Sequence, residues 1–254
     1  MLQKIKFYAI LLSVLGVIAV IASCKKNKSD DPQPTAQFAY SRAKLEKRFT
    51  VTNVNRTSGA PTSTLIAIEF VGDVYILYFP NDSIATGTCI TSGTDEIILN
   101  KYGTLKVNSV TDTNFGFTLT VNNSPVVFTS AVAEQAIADS DHTNKLCRTW
   151  TLAQYSVDGI TYPQSNSEVT FNKYGTYLTK QTQFGISSIA SNTWMWTNTA
   201  EDSICYGAWD GGNISDCDGL GTVSMDFSAD GKSLTMVEDF YGIETIVYKL
   251  VVKE

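Results

Sequence analysis

The chain has a single histidine, His142, and its five cysteines nowhere form a CxxC pair. Structural and catalytic zinc sites draw on such ligands, so no metal is expected. GxSxG, HExxH and P-loop patterns are missing as well, so the hydrolase, zincin and nucleotide-binding classes they mark are not indicated. His142 stands between the two halves of the chain and reads as a solvated linker residue. Neighbouring carboxylates such as Glu238-Asp239 and Glu201-Asp202 face opposite sides of a strand and form no acid–base pair. The expectation is a non-catalytic protein without cofactor. Basic residues are outnumbered: 19 Lys and Arg stand against 25 Asp and Glu, a formal net charge of −6. With no basic stripe, nucleic acid is not an expected partner. The apolar run over 7–22 has sixteen residues, short of the ~20 that a spanning helix needs.

That run follows Lys4 and Lys6, and a basic start with a short apolar core is the pattern of an export signal. It ends in Ile21-Ala22-Ser23-Cys24, which resembles the bacterial lipobox, where cleavage precedes a cysteine that carries diacylglycerol. The resemblance implies a signal peptide over 1–23 and lipidation of Cys24, with the lipid anchor as the chain's tie to a membrane. Removing residues 1–23 leaves 17 basic against 25 acidic residues, a net of −8. Residues 24–37, with Pro32 and Pro34 among charged and polar side chains, cannot bury enough surface to fold. They read as a tether with a reach of roughly 20 Å. Asp30 and Asp31 after the cysteine resemble the surface-export signal of Bacteroidota lipoproteins, although three lysines precede them. The implied location is the outer membrane, with surface and periplasmic faces both open.

Six prolines, twelve Tyr and twelve Phe, with abundant Thr and Ser, favour β structure. Alternating segments at 64–70, 74–79, 96–99, 104–110 and 115–121 are separated by turn residues at short spacing, which predicts an antiparallel sheet, sandwich or barrel over 38–129. The charged stretch 42–49 is either a short helix or a first strand. Residues 130–142 are Ala-rich, begin at Ser130 and place Val132, Ala136 and Ile137 on one helical face, which predicts a helical linker. A second β unit follows over 143–254. In it, Val223, Met225 and Phe227 alternate with Ser224 and Asp226, giving one wet face. Asp230-Gly231 predicts a tight hairpin with positive φ angles. The pentapeptide NKYGT occurs at 100–104 and at 172–176. It marks either two similar hairpins, with Gly103 and Gly175 left-handed, or two related β domains.

Export places Cys89, Cys147, Cys205 and Cys217 in a compartment where disulfides persist. Cys205 and Cys217 flank a short loop and are the candidate pair, the alternative being four buried thiols. All four tryptophans, Trp150, Trp194, Trp196 and Trp209, lie in the second unit. Trp194 and Trp196 share a strand face and, with Tyr177 and Trp209, are candidates to line a cavity for a small apolar or sugar ligand; the alternative is ordinary core. Asp210, Asn213, Asp216 and Asp218 lie among glycines and offer oxygen ligands to calcium, but their spacing fits no recognised calcium loop.

Residues 143–254, with a strand led by CRTW, then FNKYGTY (171–177), a WxW strand and a closing YKLVV, resemble the lipocalin-like lipoprotein domains of Bacteroidota. Trp150 matches that family's opening tryptophan, and Phe171, Gly175 and Tyr177 match its strand-turn-strand signature. Arg148 stands where lipocalins proper carry glycine. The resemblance implies an all-β chain: an antiparallel lipocalin-like barrel or sandwich in the C-terminal half, a smaller antiparallel β unit in the N-terminal half, and a short linking helix. A barrel of that kind either fills its interior or holds one small ligand. The function it implies is a lipid-anchored binding protein, and the alternative is a non-catalytic interaction subunit of an envelope complex.

Overall fold

A computed structural model of the protein describes residues 37–253 apart from 56–64, 82, 163–165, 184–185, 208–216, 218–220 and 241. Cys24 with the segments around it, Trp209, and the loop residues Asp210, Asn213, Asp216 and Asp218 lie outside the described residues.

The alternating segments of the N-terminal half become hairpins. A one-turn helix, α1 (Arg42–Leu45), leads into β1 (Arg48–Asn55), so both readings of the charged stretch are realised in succession. Then come β2 (Ala67–Val71), β3 (Val74–Phe79), β4 (Ser83–Ser92), β5 (Glu96–Leu99), β6 (Gly103–Val110), β7 (Asn114–Val121) and β8 (Ser124–Ala133). Each pairs with the next, and β8 pairs antiparallel with β1, closing an eight-stranded barrel. Although shorter in chain than its neighbour, this unit is therefore a complete barrel without a free edge. Its interior is filled by side chains: Phe115 stacks on Phe117 at 4.7 Å and Phe117 on Phe128 at 4.6 Å, with Phe49 and Phe70 packed against them.

The second half contributes β9 (Thr149–Val157), β10 (Ile160–Tyr162), β11 (Asn166–Phe171), β12 (Thr176–Gln183), β13 (Ile186–Trp196), β14 (Ser203–Gly207), β15 (Gly221–Phe227), β16 (Ser233–Phe240) and β17 (Glu244–Val252). β17 pairs antiparallel with β9 along 150–157, so β9 and β11–β17 close a second barrel of up-and-down, lipocalin-like architecture. β10 folds back on the last residues of β9, whose other edge pairs with β17.

Three local expectations are corrected. The linking helix does not occupy 130–142: residues up to Ala133 complete β8, and the helix, α2, runs Asp141–Leu146. Ala131 is fully buried and pairs with Val51, while Val132 pairs with Thr50. Barrel closure thus overrides the helix propensity of the alanines. The cap is Ser140, whose hydroxyl accepts from the Thr143 amide at 2.8 Å. The two NKYGT copies form different turns. In the first, Leu99 pairs with Gly103 across three residues and Lys101 takes the positive φ of 66°. Gly103 is needed there for a different reason, because a Cβ would lie 2.1 Å from the Thr120 carbonyl oxygen. In the second, Phe171 pairs with Tyr177 across five residues and Gly175 is the left-handed one, with φ of 72°. At Asp230-Gly231 only Gly231 takes positive φ. Asp230 instead accepts from the Ser228 hydroxyl and the Lys232 amide within a wider loop.

The barrels meet side on. Outward-facing Ala67, Val74, Ile76 and Tyr78 of β2 and β3 pack with Leu178 of β12, and Ile189 of β13 lies against them. This explains the unbroken apolar run VYILYF: Tyr75 and Leu77 fill the first barrel, and Val74, Ile76 and Tyr78 face the second. A strand buried on both faces loses its alternation. A polar cluster lies in the same joint. Glu69 is fully buried, and its carboxylate accepts from Arg48 Nε at 3.1 Å, Tyr78 Oη at 2.6 Å, Thr176 Oγ1 at 2.8 Å and Asn172 Nδ2. Arg48 also donates to Thr176 Oγ1 at 2.9 Å and to the Tyr174 carbonyl. The second NKYGT turn is thus the part of the second barrel that docks on the first.

Candidate functional site

Strand parity and register sort the second barrel's inward residues into layers. At one end Trp150, Phe171, Trp194, Trp196 and Phe227 form an aromatic layer closed by α2. Trp150 Nε1 donates to the Leu146 carbonyl at 3.0 Å, Trp196 Nε1 to Thr143 Oγ1 at 3.0 Å, and Trp194 Nε1 to the Asn172 carbonyl at 3.2 Å. His142 is part of this plug rather than a solvated linker residue. It stacks on Phe227 at 5.5 Å and its Nδ1 lies 2.9 Å from the Glu201 carbonyl oxygen. Trp194 and Trp196 do share a face, edge to face at 5.4 Å, but they serve the core at the closed end. Their indole N–H groups need acceptors once buried, and the plug supplies them.

The opposite end is built differently. Tyr177, Ile204, Tyr206, Val223, Met236 and Tyr248 line a cleft of about 250 Å³ including its open mouth. Of the candidate ligand residues Tyr177, Trp194 and Trp196, only Tyr177 borders it. Glu238 of β16 projects into the same layer, since it pairs with Val223 and Ile246 and follows Leu234 and Met236 at two-residue spacing. The residue is 4 % exposed. Tyr206 Oη donates to Glu238 Oε1 at 2.7 Å, and Tyr248 Oη lies at 3.5 Å from Oε2. No basic side chain among the described residues pairs with it. Burial therefore holds the Glu238 carboxyl above the ordinary carboxylate range, with Glu244 adding to the rise and the two tyrosine hydrogen bonds opposing it. The tyrosines respond in the same sense. Burial, and then Glu238, push the Tyr177 phenol up to about 12 and those of Tyr206 and Tyr248 above their ordinary value. All three are neutral hydroxyl donors at physiological pH.

Aromatic and apolar groups continue outward from the carboxylate. Tyr155 sits 5.4 Å from Tyr248 and 5.8 Å from Tyr162. Tyr162 pairs with Tyr155 and Ile160 with Val157, so all four lie on the inner face of the wall. Ile160 is nonetheless 62 % exposed and Tyr162 44 %, and β10 has β9 as its one neighbour in the sheet. The Asp158 amide donates to the Thr245 carbonyl and Asp158 Oδ1 accepts from the Thr245 amide, holding the β9–β10 and β16–β17 hairpins together. Beside them Ile243 is 64 % exposed. The mouth thus has an apolar lip, a tyrosine wall and one acidic group at its floor.

Cys205 and Cys217 are joined in a disulfide, and Cys89 and Cys147 are free thiols. Burial pushes the Cys147 thiol up to about 12 and that of Cys89 above its ordinary value, so neither is a ready nucleophile. The residue the sequence reading passed over is Glu238. Parity with Leu234 and Met236 places it inside, whereas its neighbour Asp239 is exposed. No protein-family model matches the chain, and no curated protein or solved structure is detectably similar to it.

Proposed function

We propose that the protein is a lipid-anchored binding lipoprotein of the bacterial outer membrane, related to the lipocalin-like lipoproteins its C-terminal half resembles, and that its second barrel holds a small ligand in the tyrosine-lined mouth. The observation that carries this reading is the asymmetry of that barrel. One end is sealed by α2 with every buried indole satisfied; the other exposes Ile160 and Tyr162 on its inner face above a buried carboxylate. Large side chains exposed on the inner face offer contact surface, and rigid aromatic surface binds with little ordering cost. The first barrel, filled with phenylalanine, is the support on which the binding barrel is mounted.

Native mass spectrometry of the full-length protein, extracted in mild detergent from its own envelope, tests the reading. A reproducible extra mass that is lost on denaturation is expected, together with a diacylglycerol-sized increment that persists and disappears in Cys24→Ala. A lipid-free mature chain would remove the anchor, and a clean apo mass under all extraction conditions would remove the ligand.

A further inference from the structure

We propose that the mouth of the second barrel recognises an organic amine, its ammonium group seated against Glu238 and its apolar body resting on Ile160 and Tyr162. The inference rests on the binding role proposed above and names the class of ligand.

Four observations converge. Glu238 is an inward-facing carboxylate with one short hydrogen bond, from Tyr206, and one long contact, from Tyr248, at 2.7 and 3.5 Å. A carboxylate offers about four lone-pair positions, so acceptor capacity is left over beside the cleft that Tyr206 and Tyr248 line. Among the described residues no cation neutralises it, and a buried anion is costly unless paired. The other buried glutamate, Glu69, has an arginine at 3.1 Å, so the chain pairs its buried carboxylate where only structure is at stake. Second, the walls around Glu238 are the rings of Tyr177, Tyr206 and Tyr248, and phenol faces attract a cation once water is displaced. Third, the space is narrow. Space for the centre of a water-sized sphere amounts to about 20 Å³, room for about one water-sized group. That suits an ammonium group of water-like size with its body further out. Fourth, the exposed lip of Ile160, Tyr162 and Ile243 lies where that body would project. A neutral or anionic ligand would leave Glu238 uncompensated, and a sugar would leave the apolar lip in water.

The groups that face Glu238 set the pH dependence. They are Tyr177 from β12, Tyr206 from β14, and Tyr248 with Glu244 from β17; β15 contributes Val223 and Gly221, which do not titrate. Affinity for an amine therefore rises with pH as Glu238 deprotonates and levels off above that point.

The test uses full-length protein in nonionic detergent and calorimetric titration with three probes of similar shape: 2-phenylethylamine, 2-phenylethanol and 3-phenylpropionate. The amine is expected to bind at least tenfold more tightly than the alcohol, with no binding of the carboxylate. Glu238→Gln should abolish the preference while leaving the alcohol unchanged. Tyr162→Ala, at a half-exposed position, should weaken amine and alcohol alike. The wild-type pH series serves as a test that does not depend on any variant folding: amine affinity should increase with pH and alcohol affinity should not. Equal binding of amine and alcohol, insensitive to pH and to Glu238→Gln, would overturn amine recognition and leave the binding role standing. If no probe binds and the protein carries no ligand from its envelope, both readings fall.

Discussion

Glu238 and Glu69 are both glutamates on barrel strands with almost no exposed surface, and their surroundings give them opposite characters. Glu69 is enclosed by Arg48, Tyr78, Thr176 and Asn172, a complete set of donors that includes a cation. Glu238 has two hydroxyls and no cation. Its folded-state pKa is raised by burial, so the folded protein holds this proton more tightly than the unfolded chain does. Linkage then fixes the sign. Below the ordinary carboxylate range both states are protonated and Glu238 has no effect on stability. Between that range and the raised value stability falls as pH rises, and above it the loss is complete. Glu238→Gln, which keeps the shape and removes the charge, should therefore stabilise the ligand-free protein at neutral pH. The gain should vanish in acid below the ordinary carboxylate range. Urea unfolding of both proteins at several pH values measures this, and a variant less stable than the parent at neutral pH would show that the carboxylate is compensated.

At the level of elements, the disulfide makes a separable contribution. Cys205 is fully buried on β14 and its bond to Cys217, twelve residues on, closes the connection toward β15. A loop of that length stabilises by roughly 3 kcal/mol in the chain-entropy picture. Replacing both cysteines by alanine should lower the unfolding free energy by about that amount, and chemical denaturation with and without reductant should agree with it. The sequence offered this pair on its short spacing, with four buried thiols as the alternative, and the structure joins them. So were most hairpins, because period-two patterning with turn residues is a local signal: β3, β5, β6 and β7 fall within a residue or so of the alternating segments. The displaced helix was not legible, because the alanines of 131–133 are strand through their pairing with β7 on one side and, on the other, with β1 some eighty residues earlier in the chain. The NKYGT copies show the same limit. One pentapeptide takes two turn geometries, decided by which strand lies across from it. In the second barrel, Trp194 and Trp196 were placed correctly on one face. Whether that face meets a ligand depended on α2, whose position was misread. The parity of Glu238 was readable; what could not be read was that no basic residue from any other strand would arrive opposite it.

For the molecule as a whole, the consequence lies in the joint between the barrels. Two eight-stranded barrels with separate cores could unfold separately. Here the outer face of β2 and β3 is buried as thoroughly as the inner: Ile76 and Glu69 are each 0 % exposed and Tyr78 1 %. Separating the barrels would expose the apolar set of Ile76, Tyr78 and Leu178 and strip Glu69 and Arg48 of Thr176 and Asn172, leaving buried-type charges half satisfied. Either term costs several kcal/mol, a large fraction of what holds a typical domain together. The barrels should therefore unfold in a single transition, seen as one calorimetric endotherm and as coincident denaturant curves for tryptophan fluorescence, which reports the second barrel alone, and far-ultraviolet circular dichroism, which reports both. Ile76→Ala should cost about 2–5 kcal/mol and move both curves together, although Ile76 touches the core of neither barrel. Glu69→Ala should cost about 3–5 kcal/mol, since it removes the carboxylate nearest the buried Arg48 guanidinium and leaves its longer contact to Glu134 at 3.4 Å. If instead the tryptophan signal of the second barrel were unmoved by Ile76→Ala while the rest of the chain unfolded earlier, the two barrels would be independent domains. The binding mouth would then stand on the second barrel alone.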